Sequence, residues 1–209
     1  MHIFDIHPTS SFPLEDSRLL LVGFQLKVVI PKPRQPMALT WTAPPPGTYK
    51  LDVERSSLGN PGNTGRPGVI RNYNSDVLFG FFECYGICTS LEAEFRALIF
   101  GLKWFHQHNF FPLIVHSDSK LLLDVVQGQV PGPWHLDLCF LQFQALATYG
   151  CHSLHHQFQQ TNVVTNSLGK KASASCTSFA ANAVPRHIHR SAVINALAFS
   201  YIRLCKGTR

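Results

Sequence analysis

The sequence predicts an α/β fold: a five-stranded mixed sheet, its first three strands antiparallel, flanked by helices. Three observations predict it. Short runs between Tyr49 and Cys84 alternate apolar and polar residues, as half-buried strands do. A long stretch from Thr89 switches to helical spacing, and from there to about Lys171 strand and helix patterns take turns.

The elements follow in order. "YKLDVER" from Tyr49, "GVIRN" from Gly68 and "VLFGFFEC" from Val77 read as an antiparallel meander, with "YNSD" as the turn between the last two. "GNPG" at 59–62 reads as a hairpin turn, because no helix opens directly after it to cradle a phosphate. Thr89 and Glu92 form a capping box, and Leu91, Phe95, Leu98, Ile99, Leu102 and Phe105 recur on one helical face. "LIVHS" at 113–117 reads as a buried strand, followed by a helix that Ser119 starts and Gly128 stops. Trp134 to Tyr149 forms a further helix with apolar positions Leu138, Leu141, Phe143 and Leu146. A last strand near "HSLHHQF" and a last helix near "NVVTNSLGKKA" complete the pattern.

Composition bounds the rest. A chain of 209 residues, 45% hydrophobic, buries one sizeable core with room for extensions. The proline clusters "IPKPRQPM" and "TAPPPGTY" disfavour helix, so residues 1–47 read as an N-terminal arm or linker, 48–175 as the domain and 176–209 as a basic extension. The net charge is +6, and no Asp or Glu follows Asp137, whereas seven Lys or Arg do, from Lys170 to Arg209. Such a tail suits a polyanion, although scattered cations are also an ordinary solvated surface.

The six cysteines lack CxxC spacing and no cleavable apolar segment precedes them, so free thiols in a reducing compartment are expected. The stretch "LLLVGFQLKVVI" is short, is interrupted by Lys27 and follows Glu15 and Asp16, which fits neither signal peptide nor membrane span. The expectation is a soluble, intracellular monomer.

Taken together, "WTAPPPGTYKLDVERSSLGNPG", "PGVIRN", "TSLEAE", "VHSDS" and "HQFQQTNVVTN" resemble, in order and spacing, the ribonuclease H family, above all its plant domains and those ending plant retroelement reverse transcriptases. The resemblance runs from Trp41 to about Lys171, with weaker echoes in "VPRHI" and "FSYIRL". It implies metal-dependent endonucleolytic hydrolysis of the RNA strand of an RNA/DNA hybrid, with Mg²⁺ or Mn²⁺ as cofactor. The implied partner is a hybrid or a double-stranded-RNA-like duplex read by shape and 2′-hydroxyls. Such metals are hard cations that favour anionic oxygen ligands.

The resemblance carries the site over residue by residue. Glu94 matches the acid on the first helix and Asp118 the acid ending the fourth strand. Glu54 stands where the family has Asp, one methylene further out, and Asn166 replaces the fourth acid with an uncharged amide. Glu54, Glu94 and Asp118 are thus the implied metal ligands, with His156 matching a histidine that assists proton transfer or product release. Outside the motif, Glu94 would read as a helix-dipole partner and Asp118 as a strand-end acid.

Asp52 shares a strand face with Glu54 and reads as a rim residue, while Arg55 and Pro67 replace glycines of the pattern. The departures imply weakened catalysis. The alternatives are a non-catalytic nucleic-acid-binding module and a decayed retroelement fragment. His152, His155 and His156 do not form a metal cluster, because adjacent strand residues face opposite ways.

Overall fold

Capping and periodicity account for most of the observed elements. The computed structural model describes residues 35–54, 56–59, 62–175, 178–182, 197 and 200–205. The strands are β1 (Gln35–Thr40), β2 (Tyr49–Val53), β3 (Ser56–Gly59), β4 (Gly62–Asn72), β5 (Val77–Cys88), β6 (Leu113–Ser117), β7 (Cys151–His156), β8 (Phe179–Ala181) and β9 (Ser200–Cys205). The helices are α1 (Ser90–His108), α2 (Lys120–Val126), α3 (Asp137–Ala147) and α4 (Val163–Ser175).

Thr89 caps α1 by accepting from Glu92 N, and Ser119 caps α2 by accepting from Leu122 N, each at 3.2 Å. Gly128, past the end of α2, has the positive φ of 73° that glycine tolerates.

The main sheet runs β7-β6-β2-β4-β5-β8, with β3 paired to β4. β2, β4 and β5 are antiparallel, as expected, and β2, β6 and β7 are parallel. Among the described residues the sheet has seven strands, two beyond the expected five. β3 pairs antiparallel with β4, Gly59 opposite Gly62, and the three-residue β8 adds to β5 after α4. Both are too short to leave a periodic signature.

One face of the sheet packs Leu51, Val53, Ile70 and Phe81 against Phe95, Leu98 and Leu102 of α1, with Leu122 and Phe143 from α2 and α3. The opposite face packs Val69 against Val164 and Leu168 of α4. β4 passes β5 so closely that a Cβ on Gly68 would overlap the buried Phe81 ring. Gly68→Ala should therefore overpack the core and lower the unfolding free energy by about 1–3 kcal/mol, read from the urea midpoint.

Two sequence expectations need correction. Leu138 and Leu141 of α3 are exposed, and only Phe143 of that helix is buried, because periodicity predicts a helix without predicting what covers each side of it. Cys88 and Cys139 are free, but Cys84 is disulfide-bonded to a cysteine outside the described side chains. The chain after α4 returns to β5, where Cys84 N donates to Ser178 Oγ at 2.9 Å, and linear spacing cannot reveal such a return.

The chain divides into two units, Met37–Arg203 and a second of Met1–Pro36 with Leu204–Arg209. The larger unit starts before residue 48, runs past 175 and takes in Trp41, which is 2% exposed. "FSYIRL" overlaps β9, whereas "VPRHI", Arg55, the side chains of Lys170 and Lys171 and residues 1–34 lie outside the described residues. No described helix is long and apolar enough to cross a membrane.

Candidate acidic site at the strand ends

Three parallel strands stop together. Val53, Ser117 and His156 are aligned in register, so Glu54, Asp118 and Gln157 follow side by side, and Gln157 N donates to Ser117 O at 2.9 Å. The C-terminal edge of parallel strands is where α/β folds commonly gather functional groups.

Glu54 is 1% exposed, and its amide donates to Pro67 O of β4 at 3.2 Å. Burial pushes its carboxyl up to about 9, the nearby Asp118 charge adds to the rise, and Gln159 only partly offsets them. Glu54 and Asp118 are therefore electrostatically coupled neighbours.

Glu94, one turn into α1, is 4% exposed and faces Arg66 of β4. Arg66 Nη2 lies 3.3 Å from Glu94 Oε1 and donates to Ser90 O at 2.7 Å. Arg66 is fully buried, and sequence reasoning missed it. The available signal was alternation: Arg66 shares its strand side with Gly68 and Ile70, and an arginine directed at a core requires an anion.

Asp52 is not at a rim. It is fully buried, 3.2 Å from Arg71 Nη2 and 3.6 Å from Lys50 Nζ, and accepts from Trp41 Nε1 at 3.2 Å. Trp41 lies against both cations, 4.6 Å from Lys50 Nζ and 4.2 Å from the Arg71 guanidinium carbon. Lys50 Nζ also donates to Thr42 O at 3.0 Å. Burial alone would raise Asp52, but the Lys50 and Arg71 charges hold its carboxyl below the usual range, while burial lowers Lys50 and Arg71. Asp52 is committed to these partners.

Of the remaining predicted residues, His156 is exposed at the end of β7, edge-on to Phe158 at 5.1 Å. Asn166 lies on the first turn of α4, half-buried, its amide donating to Asn162 O at 3.0 Å. Beside the acids, His116 of β6 contacts the Gln157 side chain through Nδ1, and burial, reinforced by the Lys50 charge, pushes it down to about 4.

A divalent ion would need several free carboxylates at one point. Among the described residues no three His, Cys, Asp or Glu side chains are grouped for that. Glu94 is already paired with a buried guanidinium, and burial favours the neutral form of Glu54. As they stand, these residues do not fit the metal centre that the resemblance implies.

Comparison with known proteins agrees with the architecture. Residues 53–172 match the model of the family described as reverse transcriptase-like. A curated Arabidopsis thaliana protein, named as a ribonuclease H protein, is 24% identical over 151 residues, 69% of this chain. The chain spans only 24% of that relative's length.

Among solved structures, RNase H1 of Halobacterium salinarum is similar with a TM-score of 0.57 at 22% identity, covering 61% of this chain and 98% of its own. The N-terminal RNase H domain of a Mycobacterium tuberculosis protein gives 0.57 at 26% identity, covering 62% and 95%. LC11-RNase H1, solved with an RNA/DNA hybrid, gives 0.55 at 22%, covering 61% and 98%. These likenesses establish a ribonuclease H-like fold.

Proposed function

Because the chain belongs to the reverse transcriptase-like family, we propose that it is a nucleic-acid-binding domain of the ribonuclease H type, engaging RNA/DNA hybrids or duplexes of similar shape with hydrolysis strongly reduced or absent. The observation that carries this reading is the buried Arg66–Glu94 pair, which engages one of the implied catalytic acids. The loss of charge at Asn166 points the same way. In this reading Glu54 and Asp118 shape the strand ends rather than drive a reaction, and the acid-free C-terminal third supplies charge for phosphates.

The test uses a fluorescently labelled RNA/DNA hybrid, followed by anisotropy for binding and by gel electrophoresis for cutting. Binding should weaken steeply with salt and be the same in EDTA and in Mg²⁺, with the RNA strand left intact. Mg²⁺-dependent cutting that disappears in Asp118→Asn would replace this reading with that of a nuclease. A folded protein that neither binds nor cuts would eliminate both. The double variant Glu54→Asp, Asn166→Asp asks in addition whether the scaffold still supports hydrolysis once the acids of the family pattern are returned.

A further inference from the structure

We infer that Arg66 is a built-in cation that occupies the charge-neutralising role of a metal ion at the acidic site, and that it keeps the site closed to divalent cations. The inference rests on the site as read above and adds to it the residue that sets its ion preference.

Position is the first argument. Arg66 is fully buried and held at two points: Nη2 donates to Ser90 O at 2.7 Å and stands 3.3 Å from Glu94 Oε1. The first contact fixes the guanidinium at the start of α1, one turn from the acid.

Charge balance is the second. The buried charged side chains among the described residues are Lys50, Arg66 and Arg71 against Asp52, Glu54 and Glu94. Lys50 and Arg71 both engage Asp52, which leaves Arg66 as the buried cation at the strand ends among the described residues. An arriving divalent ion would face a fully buried guanidinium that cannot lose its proton. Repulsion at short range and low dielectric, together with loss of the Arg66–Glu94 pair, opposes its entry.

The discriminating experiment measures Mn²⁺ binding by electron paramagnetic resonance, without nucleic acid, on the full chain. Arg66→Met, which keeps length and removes charge, should bind Mn²⁺ at least about tenfold more tightly than the wild type. Arg66→Lys should stay closed, and adding Glu94→Gln to Arg66→Met should abolish the gain. Circular dichroism checks folding, and if Arg66→Met does not fold, Arg66→Gln serves in its place.

The inference is overturned if the wild type binds Mn²⁺ as tightly as the uncharged variant, or if the gain survives Glu94→Gln. Hybrid binding by the wild type in EDTA is read separately. Its loss would remove the proposed function without touching Arg66, and a failed Mn²⁺ gain would do the reverse.

Discussion

Asp52→Ala is expected to lower the unfolding free energy by about 3–5 kcal/mol. The Asp52 carboxylate is fully buried between Lys50, Arg71 and the Trp41 indole. Removing it leaves two cations buried with no counter-charge, and it takes away the acceptor that anchors Trp41. Much of the loss is thus the penalty of stranded charge rather than the net worth of the ion pairs.

That distinction can be measured. A triple variant, Asp52→Leu, Lys50→Met, Arg71→Met, removes the acid and both cations together and should recover most of the stability lost in Asp52→Ala. Urea denaturation followed by circular dichroism gives both values. A loss below about 1 kcal/mol in Asp52→Ala, the range of exposed pairs, would show that the network is open to water.

The second large effect has the opposite sign. Glu54→Gln should stabilise the protein by about 3 kcal/mol at pH 7, because burial raises its carboxyl from the ordinary 4.5 to about 9. A raised carboxyl keeps its proton in the folded chain while the unfolded chain releases it above pH 4.5, so stability falls as pH rises from 4.5 to 9. His116 acts in the other direction. Lowered from 6.5 to about 4, it binds a proton in the unfolded chain first, so stability falls as pH drops through that interval.

Between about pH 4.5 and 6.5 the two slopes oppose each other, and above 6.5 the His116 slope no longer offsets that of Glu54. Removal of the Glu54 slope should therefore make Glu54→Gln gain stability relative to the wild type progressively from pH 6.5 to 9. Equal pH profiles for the two proteins would refute the assignment.

The sequence made the sheet and helices legible where the signal was local. Thr89 and Ser119 cap the helices that their spacing predicts, and "YKLDV", "LIVHS" and "HSLHH" become β2, β6 and β7. Less of the site could be read. Glu54 and Asp118 stand together because strands far apart in the chain end in register, which family spacing captures indirectly.

Arg66 pairs with Glu94 across 28 positions (94 minus 66), and Trp41 with Asp52 from beyond the expected domain edge. No local pattern encodes such partners. Asp52 reads as a rim residue because it stands two positions along the strand from Glu54, whereas a carboxylate between two cations is stable in the interior when each lone pair finds a donor or a charge.

Slippage of β2 by one residue would exchange its two sides. Lys50 and Asp52 would then face the apolar residues of α1, and Leu51 and Val53 would meet Arg71 and Trp41, leaving unpaired charge in both layers. β2 is the strand on which the antiparallel and parallel halves of the sheet both align, so this mispairing would spread to β4 and β6. The Lys50–Asp52–Arg71 network thus makes misaligned sheets energetically poor competitors of the native one, a form of proofreading that operates during folding.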